Sequence, residues 1–208
     1  MILSYTEVIT PAVPDVAAVL AEVKAALHVT HAFEDELISR LLGVSVLWLE
    51  QYLGRELLTK TVRTWFQEPD HHFMDTYAHP YARPTEDLTL PRMPVSSVTA
   101  IASYNDANTP TTTPATSYRI TAPDRDQLTT VRLTMGSSWP TDLRNLNALS
   151  VDYVVGTATD IASLPEDMQQ IVYMMVSWLY TNRGGTCDQA LAQSGAMAFL
   201  SGYRVLRV

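Results

Sequence analysis

The chain has 208 residues, 47% of them hydrophobic and 17% charged. That length makes one domain, or one domain with a large insertion, and buries a sizeable core without disulfides or metals. Fourteen Lys and Arg against 22 Asp and Glu give a formal net charge of −8, so the chain is not built to grip nucleic acid, which needs an excess of cationic side chains on the phosphates. An acidic surface could still line a passage through which DNA slides without sticking. With so few charges, much of the surface is either covered by Ser, Thr, Asn and Gln or buried against partner chains, as homo-oligomers bury it.

The single cysteine, Cys187, forbids an internal disulfide and permits a reducing compartment. The opening MILSYTEVITPAV lacks the basic region of a signal peptide. No run is long and apolar enough to span a bilayer. The expectation is a protein made in the cytosol with no membrane partner.

In chain order, Val16, Val19, Leu20, Val23 and Leu27 recur at helical spacing and predict a first helix over 14–27. Thr30 is a candidate N-cap for a second helix, with Glu34, Asp35 and Glu36 where the macrodipole favours anions. Two apolar stripes follow side by side. One is Leu37, Leu41, Val44, Trp48 and Tyr52; the other is Ile38, Leu42, Leu49 and Leu53. A helix so apolar around its circumference is central in a bundle or sits at a subunit contact. Gly54 ends it.

From Leu58 the period changes to two and β-branched residues become frequent. Residues 88–90, 98–104, 117–121, 131–134 and 149–155 read as further short strands, separated by turn clusters at 105–108, 123–126 and 136–138. Strands at this spacing suggest a small sandwich or a curled sheet. Ser163-Leu164-Pro165-Glu166 then looks like a capping box with an early proline. Met168, Ile171, Val172, Met175, Trp178 and Leu179 continue it as a helix that ends near 182–185. A weaker helix over 188–199 precedes LSGYRVLRV, an alternating tail able to add to another sheet's edge. The fold expected is α+β: a helical bundle with an inserted β-rich, sandwich-like domain. Its divisions are 1–57 (N-terminal helices), 58–160 (β-rich insertion), 161–200 (C-terminal helices) and 201–208 (tail). No internal repeat is present.

Chemistry is sparse. His71, His72 and His79 share a loop with Asp70 and Asp75 and could hold a metal for a hydrolase. They show no helical i, i+4 pairing and no defined ligand spacing, so a solvated loop is the plainer reading. Cys187 as a nucleophile would need a base that sequence does not supply. Gly184-Gly185 lacks the Lys-Ser/Thr of a phosphate loop. The reading assigns no catalytic residue, no cofactor and no metal, and expects no enzyme.

The order of pieces is more telling. EQYLGREL (50–57) closes a helix, and LPRMPVSSVTAI (90–101) enters the β region. YRI (118–120), Trp139-Pro140 and VDYVVG (151–156) follow. LPEDMQQIVYMMVSWLYTNRGG (164–185) and a terminal GYRV complete the set. This series resembles the head–tail connector, or adaptor, proteins of tailed bacteriophages and gene transfer agents, in the branch with a β domain between its helices. The likeness runs from about Ile9 to Val205; the loop 69–86 is more elaborate than the pattern. It implies a structural ring, of twelve copies in most such adaptors, beneath the portal in the neck of a virion. Portal and a stopper or tail-terminator protein would be its partners, and DNA would pass through the lumen without specific binding. The portal contact would fall on Gly202, Tyr203, Arg204 and Val205. A stopper or tail-completion ring of the same particle is the alternative.

Overall fold

The computed structural model describes residues 2–12, 15–67, 87–121 and 128–203. They form two compact units, Met1–Pro11 with Lys60–Val155, and Ala12–Thr59 with Gly156–Val208.

The first unit is all antiparallel sheet. Its strands are β1 (Ile2–Thr10), β2 (Lys60–Gln67), β3 (Leu88–Thr89), β4 (Val95–Tyr104), β5 (Pro110–Thr112), β6 (Tyr118–Thr121), β7 (Thr130–Leu133) and β8 (Leu149–Val155). Five of them order as β1-β2-β8-β4-β5, and three as β3-β7-β6. Strand alternation sends Val62, Phe66, Val151, Tyr153 and Ile101 from the large sheet and Leu88 and Val131 from the small one into a single core. Two antiparallel sheets share this one core. Tyr153 is fully buried, and its hydroxyl is hydrogen-bonded to Thr64 Oγ1 at 2.9 Å; Thr64 in turn is bonded to Thr6. On the opposite face of β2, Arg63 donates two bonds to Asp152 (2.6 and 2.7 Å), and Trp65 Nε1 donates to Glu7.

β1 is the element the sequence reading leaves unassigned. It lies at the edge of the large sheet and pairs with β2 through two register shifts, between Leu3 and Tyr5 and between Val8 and Thr10. Those irregularities break the alternation that would have announced a strand.

The second unit is helical: α1 (Ala17–Ala26), α2 (Asp35–Leu53), α3 (Glu166–Thr181) and α4 (Cys187–Gln193), then a 3-10 segment, Ala196–Gly202. α2 starts four residues later than the Thr30 cap predicts. His28 takes φ +58, so 28–34 form a connecting loop, and Glu34 occupies the cap position without a side-chain cap bond. Gly54 ends α2 in the left-handed conformation (φ +66), as expected. The capping box expected at Ser163 does not form. Ser163 and Asp160 bond one another instead, Ser163 N–H to the carboxylate and Asp160 N–H to the hydroxyl, and Pro165 holds the cap position. The capping box that does form opens α4, between Thr186 and Gln189.

α2, α3 and the short helices bury one cluster around Ile38, Leu42, Leu49, Ile171, Val172 and Met175. Chain entry and exit are stitched within this unit. Thr157 and Ala158 N–H donate to the Leu57 carbonyl, and Thr59 N–H donates to Ala158 O at 2.7 Å. Gly156 is required there: at φ +89, a Cβ would stand 2.3 Å from the Leu58 carbonyl oxygen.

Candidate assembly surface

The three carboxylates that open α2 are all engaged. Glu34 accepts from the Tyr180 hydroxyl and from Arg183. Those two bonds hold its carboxyl below the ordinary range. Asp35 pairs with Lys24, and Glu36 with Arg40. They tie α2 to its neighbours and to itself, as stabilising pairs do, and none stands ready as a proton shuttle. Cys187 is the first residue of α4 and half-buried; burial, then Asp188, pushes its thiol up, the reverse of activation. Gly185 has a packing role: a Cβ there would stand 2.2 Å from the Trp178 ring.

Among the described residues no group of three or more His, Cys, Asp and Glu could hold a metal ion. The loop with His71, His72 and His79 lies outside the described residues. Of the four residues assigned to a portal contact, Gly202 ends the 3-10 segment and Tyr203 follows it, donating its hydroxyl to Asp167 in the first turn of α3. Arg204 and Val205 lie outside the described residues. No helix among the described residues is long and apolar enough to cross a membrane.

What the molecule does expose is apolar surface. The two stripes of α2 separate cleanly. Ile38, Leu42, Leu49 and Leu53 are buried, whereas Leu37, Leu41, Trp48 and Tyr52 are half-buried and Val44 is 44% exposed. Trp48 and Tyr52 stack at 5.1 Å. Leu47, on neither stripe, is 58% exposed beside Val44. On the outer side of α3 an open groove of about 430 Å³ is lined by Tyr173, Met174, Ser177 and Trp178, with Ala26 and Ser194 at its sides. Tyr173 donates its hydroxyl to Glu22; burial, then this bond, pushes its pKa up to about 12. In the sheet unit, β1 exposes Leu3, Tyr5, Val8 and Ile9. Isolated exposed apolar residues are ordinary, but several sharing one element mark contact surface. Trp178 was legible only as core spacing, since a helix lining a groove repeats like one lining a core, and Met174 falls outside the apolar spacing read from the sequence.

No family model and no curated protein sequence matches the chain. Solved structures do. A chain from the neck of an empty gene transfer agent particle, computed with C6 symmetry, aligns with a TM-score of 0.72 at 21% identity. One from the virion of a native gene transfer agent particle aligns at 0.70 and 20%, and one from a native neck computed with C12 symmetry at 0.70 and 22%. Each alignment covers 99% of this chain and 97% of the other. The fold is that of a gene transfer agent neck chain. The likeness covers nearly all of both chains, at identities that establish fold and nothing finer.

Proposed function

We propose that this chain is a structural neck protein of a phage-like particle, a head–tail connector of the adaptor type. It assembles as a ring beneath the portal, joins the capsid to the tail, and leaves a central passage for DNA. The observation that carries this reading is fold likeness over 99% of the chain to neck chains of gene transfer agents, some from assemblies with C6 or C12 symmetry. The partly exposed apolar face of α2 supports it, because a ring subunit must bury surface against neighbours on both sides. The net charge of −8 suits a lumen that phosphate passes without adhering. Gly202, Tyr203, Arg204 and Val205 are the proposed portal contact, and a stopper or tail-terminator protein would dock on the other side of the ring.

Gold-conjugated antibody raised against this chain should label particles from the producer at the junction of head and tail, once particles are opened enough to admit it. Label confined to the capsid shell or the tail tip would refute the neck assignment.

A further inference from the structure

The helical unit carries two partly apolar surfaces that its described residues leave exposed, and they face opposite ways. α2 turns Ile38, Leu42, Leu49 and Leu53 to the core. At 3.6 residues per turn its far side carries Arg40, Val44, Leu47 and Gln51, all exposed. α3 turns Met168, Ile171, Val172, Met175, Val176 and Leu179 to the same core. Its far side carries Gln170, Met174, Ser177 and Thr181, which line the groove. α2 and α3 pack directly on each other, so their far sides point away from one another.

The two surfaces also differ in form. The α2 side is a ridge with Val44 and Leu47 at its crest, and Gly43 beside them has open space around it. The α3 side is concave and preformed. Tyr173 is fixed by its bond to Glu22, and Trp178 is seated on Gly185. Among the described residues none that lines the groove is charged, which suits the desolvated centre of an interface. Met174, flexible and polarizable, can adapt to a branched aliphatic knob.

We infer that the α2 ridge of one copy seats in the α3 groove of the next, with Val44 and Leu47 against Tyr173, Met174 and Trp178. The occupant is a second copy because ridge and groove lie on opposite faces of one compact helical unit, as the two lateral faces of a ring subunit do, and the similar neck chains come from assemblies with C6 and C12 symmetry. Joining unlike patches in that arrangement is head-to-tail, and a head-to-tail contact closes into a ring when its rotation divides the circle. This inference rests on the ring reading above and supplies its lateral contact.

Cross-linking in assembled particles tests it. In a Cys187→Ser background, the producer would carry Val44→Cys, Ser177→Cys or both, and purified particles would be treated with a short bis-maleimide. The double variant should give a ladder of covalent multimers of this chain extending beyond the dimer, and each single variant should give none. Dimers from Val44→Cys alone would reveal a two-fold contact and overturn the inference. So would a cross-link to a different particle protein, or no ladder from a double variant that is present in the particles. In those three outcomes the neck assignment stands. Absence of the unsubstituted chain from the particles would remove the neck assignment and the inference with it.

Discussion

Glu50 lies near the end of α2 with its carboxylate turned inward, 7% exposed, accepting from the backbone N–H groups of Leu57 and Leu58 at 2.8 and 3.0 Å. Those two donors lie just beyond the Gly54 cap, where the chain leaves the helix with nothing in the helix ladder to satisfy them. Glu50→Ala would strand both, and burying unpaired amides costs about 1–3 kcal/mol. We expect it to lower stability by about 2 kcal/mol in a denaturant titration. Glu50→Gln keeps an acceptor oxygen in place and should lose clearly less. Equal losses for the two variants would mean that the two amide bonds are not what this side chain contributes.

At the scale of the element, α2 has two jobs on two faces, and they can be separated by substitution. Leu42 is fully buried and Leu47 is 58% exposed. Leu42→Ala should destabilise the free chain by about 2–5 kcal/mol through lost burial and the cavity left behind. Leu47→Ser, on the exposed side, should change the stability of the free chain by less than about 0.5 kcal/mol yet prevent the chain from entering particles. Unfolding curves of the purified chain and its amount in particles check the two halves. Normal incorporation of Leu47→Ser would remove this face from any contact. The twin stripes of α2 and the Gly54 stop were legible because each follows from a single period and a single backbone constraint. The edge strand β1 was not: its exposed apolar residues, Leu3, Tyr5, Val8 and Ile9, fall out of alternation where the register shifts. The start of α2 was misplaced for a related reason. Thr30 has the chemistry of a cap, but the loop that His28 initiates consumes the residues up to Glu34. Likewise the Ser163 hydroxyl found a nearer partner in Asp160 than the helix end it seemed placed to cap.

At the scale of the whole molecule, the order of elements carried more than any residue did. A helical pair, a β region entered through LPRMPVSSVTAI, and a closing helix after VDYVVG resemble the adaptor plan, and the folded chain aligns with neck chains over 99% of its length. The interface could not be read at that level, because residues that line a ridge or a groove on a helix repeat with the same period as residues that line its core. The central claim is that this chain joins head to tail. Electron microscopy of particles from a producer lacking its gene tests that most directly. The account predicts separate heads, filled or leaking DNA, alongside free tails. Joined particles that deliver DNA normally would contradict it.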